Sequence, residues 1–81
     1  MPKYLDRHAK TPIPPEALEE ARRLMGNRQP DGFTPISFVV GKDQSYCLSE
    51  AASPDVVRKH HADMGIMLDQ GAIEEVTATI P

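Results

Sequence analysis

Residues 44–65 read QSYCLSEAASPDVVRKHHADMG, and this stretch decides the predicted fold. Its first seven residues alternate: Tyr46 and Leu48 fall on one face of an extended chain, whereas Cys47 and its two serine neighbours fall on the other. The alternation predicts a β-strand over residues 44–50. Cys47 is the only cysteine of the chain, so the orientation of this strand decides what the thiol can contact.

A helix is predicted directly after this strand. Ser53 is a favourable N-cap and Pro54 a favourable first helical residue, because the amide that proline lacks has no intrahelical partner there. Gly65 is a typical helix end. The residues predicted to share the inner side of this helix are Val56, Val57, His60, His61, Met64 and Leu68.

The residues before this stretch predict the other arm of a hairpin. Residues 34–40 contain four β-forming side chains almost in succession, a pattern typical of strands that are covered on both faces. Residues 41–43, Gly-Lys-Asp, form a short polar break between the two strand-like segments. We therefore expect residues 34–50 to fold as two antiparallel strands joined by a tight turn.

The two ends of the chain each predict a further strand. Residues 3–8 alternate, with Tyr4, Asp6 and His8 on one face. Residues 73–80 are rich in isoleucine, valine and threonine, which favour strands.

A first helix is predicted between the opening strand and the hairpin. Residues 11–15 contain three prolines and predict an extended linker, because proline restricts its own backbone and that of the residue before it. Pro15 suits the first turn of a helix, and Gly26 its end. The apolar residues that recur at helical spacing between them include Leu18, Ala21, Leu24 and Met25.

The predicted order of elements is strand, helix, strand, strand, helix, strand. This is the ferredoxin-like βαββαβ arrangement of the α+β class, with a four-stranded antiparallel sheet and two helices on one face. Residues 1–81 form a single domain in this prediction. The other sheet face carries too many apolar side chains to remain in water, so we expect a homodimer that buries it.

Composition argues against several classes of protein. The net charge is −3 and the basic residues are scattered, which disfavours nucleic-acid binding. One cysteine cannot form an internal disulfide, and the sequence shows neither a signal peptide nor a membrane span. We therefore expect a cytoplasmic protein that binds neither nucleic acids nor membranes.

The residues with metal-binding chemistry lie on the strand and helix of residues 44–65 and on the opening strand. A thiolate from Cys47, an imidazole from His60 and a thioether from Met64 suit nickel, copper, zinc or cobalt better than magnesium or calcium. His8 could add a second imidazole. The secondary candidates are His61, Met64, Glu50 and Asp6. A free cysteine can instead be a small buried apolar residue, or a nucleophile if a histidine activates it.

Short motifs resemble one family over nearly the whole chain. They are YLDRH at residues 4–8, YCLSEA at 46–51, VRKH at 57–60, MG at 64–65 and IEEV at 73–76. In order and spacing they resemble the domain of unknown function family 4242, which includes nickel-binding actinobacterial proteins. The resemblance implies a ferredoxin-like fold, a dimer and, in some members, nickel bound by cysteine and histidine.

The resemblance also implies which residues would bind the metal. It matches Cys47 to the cysteine of the family motif and His8 to the histidine that ends the first strand. Of the two helix histidines it favours His60 over His61 by spacing, and Met64 stands where nickel-binding members tend to carry a further histidine. The expected ligands are therefore His8, Cys47 and His60, with nickel as the first choice of metal and zinc or copper next.

Three functions remain open on the sequence. The first is a small dimeric metal-binding protein that is not an enzyme. The second is a small-ligand-binding or monooxygenase-like enzyme of the dimeric α+β barrel type, which predicts a roomy apolar cavity beneath the second helix. The third is a regulatory module without a site of its own, in which the histidines and Cys47 lie too far apart to share a ligand.

Overall fold

The computed structural model describes residues 1–9 and 15–80. In chain order the elements are β1 (Lys3–Ala9), α1 (Pro15–Leu24), β2 (Thr34–Val40), β3 (Gln44–Glu50), α2 (Pro54–Asp63), a 3₁₀ turn (Gln70–Ala72) and β4 (Ile73–Val76). Residues 11–14 of the predicted linker lie outside the described residues. No helix in the described part of the chain is long and apolar enough to cross a membrane.

The four strands form one antiparallel sheet in the order β2-β3-β1-β4. Side chains of α1 and α2 line one cavity together with sheet residues His8, Phe38 and Cys47, so both helices cover the same sheet face. We call this face the inner face and the opposite one the outer face. The predicted α+β fold is confirmed, and its topology is compatible with the ferredoxin-like arrangement.

The last strand is shorter than the sequence predicts. The prediction covered residues 73–80, whereas β4 ends at Val76. Val76 pairs with Lys3, the first residue of β1, so the residues beyond Val76 have no partner strand beside them. β-forming composition alone is therefore not enough to extend this strand.

β2 is more exposed than its apolar sequence predicts. β2 lies at the edge of the sheet, and Val39 and Val40 are 56% and 45% exposed. The pairing with β3 is irregular between Pro35 and Ser37, which marks a β-bulge. The expectation that this strand is covered on both faces is therefore wrong for its second half within this chain.

The buried core lies between the inner face and α2. Six buried hydrophobic residues form the core cluster of the described chain: Tyr4, Phe33, Cys47, Ala51, Val57 and Leu68. Four polar or charged residues are buried with them: Asp6, Ser45, Ser49 and His61. For so small a core this polar share is high, and buried polar groups are costly unless they find partners.

The outer face carries apolar side chains bordered by charges of both signs. The alternation and register place Leu5, Val39, Tyr46, Leu48 and Val76 on this face, with Lys3, Arg7, Glu50 and Glu74 beside them. Leu5 remains 38% exposed in the single chain. The homodimer remains a prediction, and this face is the surface that it would bury.

Candidate metal centre

The strand register places Asp6 opposite Cys47. The two residues are direct partners in the antiparallel pair of β1 and β3, and both point to the inner face. Partners of this kind have Cβ atoms about 5 Å apart. Asp6 is 0% exposed and Cys47 is 6% exposed, so the sheet itself brings a carboxylate and a thiol together out of water.

Helix α2 places His61 over this pair. Ser53 is the extended N-cap residue of the helix and Pro54 follows it as predicted, although the Ser53 side chain makes no capping hydrogen bond. Val57 and His61 are four residues apart and are the two buried residues of α2. The Nε2 atom of His61 lies 3.3 Å from Oδ1 of Asp6.

Asp6, Cys47 and His61 therefore form one buried cluster. One ligand atom from each residue lies within 4.8 Å of the other two. Ligands of a first-row metal, at about 2.0–2.3 Å from it, lie roughly 3–4 Å apart. Metal binding would therefore draw these atoms together by up to about 1 Å.

The orientation of the His61 ring suits metal binding. Its Nδ1 atom is 2.8 Å from the carbonyl oxygen of Val57, so Nδ1–H donates to the backbone. In the neutral ring this leaves the Nε2 lone pair directed at Asp6 and Cys47. A backbone acceptor on the distant nitrogen is the usual support of a metal-binding histidine.

The charge on Asp6 also changes the protonation of His61. Burial lowers the pKa of His61, but the interaction with the Asp6 carboxylate outweighs it, and the pKa lies above its ordinary value. Without a metal, a protonated His61 is the nearest cation to Asp6 among the described residues, at 3.3 Å. His61 and a metal ion are thus alternative partners for the same carboxylate.

The thiol of Cys47 is held in its protonated form. Burial raises its pKa to about 12, and the neighbouring charge of Asp6 contributes in the same direction. A thiol of this kind is a poor nucleophile near neutral pH, which disfavours nucleophilic catalysis by Cys47. A metal ion would have to displace the proton to bind the sulfur.

Several buried oxygen atoms of the cluster have no hydrogen-bond partner among the described residues. They are both carboxylate oxygens of Asp6 and the hydroxyl oxygens of Ser45 and Ser49, which flank Cys47 on β3. A buried carboxylate is normally hydrogen-bonded, paired with a cation or bound to a metal. The Asp6 carboxylate meets this requirement only through its contacts with histidine rings, and the donor set of the cluster fits a divalent transition metal.

His8 lies beside the cluster, and its role as a metal ligand stays a prediction. Its Nε2 atom is 3.8 Å from Oδ1 of Asp6, and its ring stacks on that of Phe38 with a centroid distance of 6.1 Å. The ring centroids of His8 and His61 are 5.9 Å apart. His8 is therefore positioned near the cluster without being one of the three grouped ligands.

His60 points to a different part of the molecule. Its Nδ1 atom is 2.7 Å from Oδ2 of Asp31, and its ring stacks on Phe33 with centroids 4.0 Å apart. Burial raises the pKa of Asp31, but the hydrogen bond with His60 and one from the backbone of Phe33 bring it below its usual range. The structure thus brings His61, and not His60, to Asp6 and Cys47.

The remaining candidates lie outside the cluster. Met64 is 56% exposed, and Glu50 lies on the outer face at the end of β3, where it pairs with Lys3 of β1. Asp6 could have been ranked higher from the sequence, because it shares the inner side of β1 with Tyr4. A charged residue on the buried face of a strand is unusual enough to indicate a site.

A cavity of about 340 Å³ lies between the inner face and the two helices. Cys47, His8 and His61 contribute to its lining, so it adjoins the cluster. Its apolar walls include Leu18, Leu24, Phe33, Pro35, Phe38 and Ile66. A largely apolar cavity with a few polar groups is the feature that the ligand-binding alternative predicted.

Comparison with known proteins gives no relative for this chain. No family model, no curated protein and no solved structure matches it. The resemblance to family 4242 therefore remains a prediction, and the functional argument depends on the geometry of the site.

Proposed function

We propose that this protein binds one divalent transition metal ion through Cys47, His61 and Asp6. The observation that carries the proposal is the buried cluster of these three side chains, whose ligand atoms lie within 4.8 Å of one another. Nickel is the first metal to test, followed by zinc and copper. This order comes from the family resemblance and from the preference of thiolate and imidazole for these metals.

Charge balance supports a divalent ion. With a metal bound, Cys47 would be a thiolate and Asp6 a carboxylate, and these two negative charges equal the charge of the ion. His61 would be neutral and bind through Nε2, since Nδ1–H donates to Val57. The buried site would then carry no net charge, which removes the cost of an uncompensated buried carboxylate.

The cluster also explains how binding would depend on pH. Binding requires Cys47 to lose a proton, and His61 to lose one if it is paired as a cation with Asp6. Apparent affinity should therefore increase with pH in the range where His61 titrates and beyond. His8, next to Asp6, is the described residue best placed to provide a fourth ligand after a change of rotamer.

A nickel titration of the purified protein tests the proposal. Wild-type protein should bind one equivalent per chain and develop thiolate-to-metal absorption in step with calorimetric binding. Cys47→Ala should lose the thiolate-to-metal absorption. His61→Gln should weaken nickel binding by roughly 100-fold or more, because loss of an outer-shell partner alone lowers metal affinity by up to about 100-fold and His61 would be a direct ligand. His60→Gln is the matched control on the same helix and should retain wild-type affinity within about twofold.

The fold of each variant must be verified, since Cys47 and His61 are buried. Far-ultraviolet circular dichroism and an amide correlation spectrum serve this purpose. In wild-type protein, paramagnetic broadening by nickel should be strongest at the amides of Asp6, Cys47 and His61. Equal nickel binding by wild type and Cys47→Ala, or broadening centred on His60 and Asp31, would refute this assignment of ligands.

A further inference from the structure

Metal binding at the cluster does not account for the apolar cavity beside it. We propose that it binds a small, uncharged aromatic molecule of about two fused rings that carries a single hydrogen-bonding group. This inference depends on the walls and volume of the cavity and not on an occupied metal site.

The walls favour an aromatic occupant. Aliphatic side chains from α1 and from the segment after α2 face the cavity, including Leu18, Leu24 and Ile66. Phe33 and Phe38 add two aromatic rings, each stacked on a histidine. Flat aromatic molecules gain binding energy from both kinds of surface, because they bury a large apolar area and also pair with the edges and faces of aromatic rings.

The polar groups of the cavity favour an uncharged occupant. The lining contains no lysine or arginine among the described residues, and each of its three histidines already lies beside a carboxylate, so an anionic ligand would have no free cation to pair with. Glu20 is the only carboxylate in that lining and forms an ion pair with Arg23. The Cys47 thiol and the His8 ring can instead exchange a hydrogen bond with one hydroxyl or ring N–H group.

The volume sets the size of the occupant. An apolar cavity of about 150 Å³ in another protein holds one benzene molecule, and this cavity of about 340 Å³ is roughly twice as large. A two-ring molecule would contact the apolar walls closely, and many such contacts add up to a substantial dispersion attraction. The exposed side chains of Glu20 and Met64 mark an open rim through which it can enter.

Binding of 2-naphthol, naphthalene and 2-naphthoate to the metal-free protein tests this inference. The titrations are performed with a chelator present and repeated with nickel. We expect saturable one-to-one binding of 2-naphthol, slightly weaker binding of naphthalene, and a dissociation constant at least about tenfold larger for 2-naphthoate. Ring protons of 2-naphthol should show nuclear Overhauser contacts to methyl groups of Leu18 and Ile66.

A matched pair of alanine-to-phenylalanine substitutions locates the binding site. Ala21→Phe places a ring into the cavity and should raise the dissociation constant of 2-naphthol at least about tenfold. Ala62→Phe adds the same ring on the exposed side of α2 and should leave binding unchanged. Should Ala21→Phe fail to fold, the Overhauser contacts of the wild type decide the location.

Three results would overturn the inference. They are the absence of saturable binding by both 2-naphthol and naphthalene, Overhauser contacts only to residues outside the cavity, and 2-naphthoate binding as tightly as 2-naphthol. Because the chelator removes any metal, these results are independent of the nickel titration. If the wild-type protein binds 2-naphthol but does not bind nickel, only the proposed metal function is refuted.

Discussion

The buried thiol makes a quantitative prediction about alkaline unfolding. The pKa of Cys47 is raised from 9.0 to about 12, a difference of about three units. Above pH 9 the unfolded chain loses the thiol proton while the folded chain keeps it, so the free energy of unfolding falls as the pH rises. At about 1.4 kcal/mol per unit, the full loss is about 4 kcal/mol, reached near pH 12.

Most of this range is too alkaline for a clean experiment, but its first part is accessible. Between about pH 8 and pH 10 the linkage equation gives a loss of about 1.4 kcal/mol from Cys47 alone. Urea denaturation at both pH values measures the total loss. Cys47→Ala lacks the thiol, so its loss over the same interval should be smaller by about 1.4 kcal/mol.

Two further measurements complete this test. The ultraviolet absorbance of the thiolate should appear near pH 12 in the folded protein and near pH 9 in urea. Saturating nickel should remove the effect of Cys47, because the metal-bound sulfur has already lost its proton. Two results together would refute a buried sulfur beside Asp6. Stability would decline equally with pH in wild type and Cys47→Ala, and the thiolate midpoint of the folded protein would lie near pH 9.

Three other substitutions test the structure more briefly. The pKa of His61 is raised above its unfolded-state value of 6.5, so its protonation stabilises the metal-free protein below pH 6.5, and this contribution is lost as pH rises through the folded pKa. In His61→Gln, the urea midpoints at pH 5 and pH 8 should therefore differ less than in wild type. Leu48→Lys on the outer face should convert the predicted homodimer into monomers in light scattering, whereas Glu19→Lys on exposed α1 should not. Val57→Ala should lower the free energy of unfolding by about 2 kcal/mol, because Val57 is fully buried, and an effect below about 0.5 kcal/mol would contradict the packing of α2 on the sheet.

Much of the fold could be predicted because its signals are local. β2 and β3 occupy the predicted residues, and Pro54 and Gly65 bound the second helix as expected. The alternation correctly placed Tyr4 and Asp6 on the same face of β1, but it did not show that this face is the buried one. The end of β4 was not predictable in this way, because it depends on how far β1 extends beside it.

The composition of the site was harder to predict because it depends on contacts between distant parts of the chain. The pairing of Asp6 with Cys47 is a register between strands about forty residues apart, and α1 and β2 separate them in sequence. The choice between His60 and His61 depends on the rotation of α2 about its axis. Adjacent valines at 56 and 57 leave that rotation ambiguous by about 100°.

The sheltered position of Cys47 has a consequence for oxidative chemistry. Thiolates, and not thiols, react with peroxides and disulfides, and a group with a pKa of about 12 is almost entirely protonated at physiological pH. With 6% of its surface exposed, this sulfur should resist sulfenic acid formation and glutathionylation. Copies of the chain should consequently remain free of intermolecular disulfides during prolonged storage in air, without added reductant.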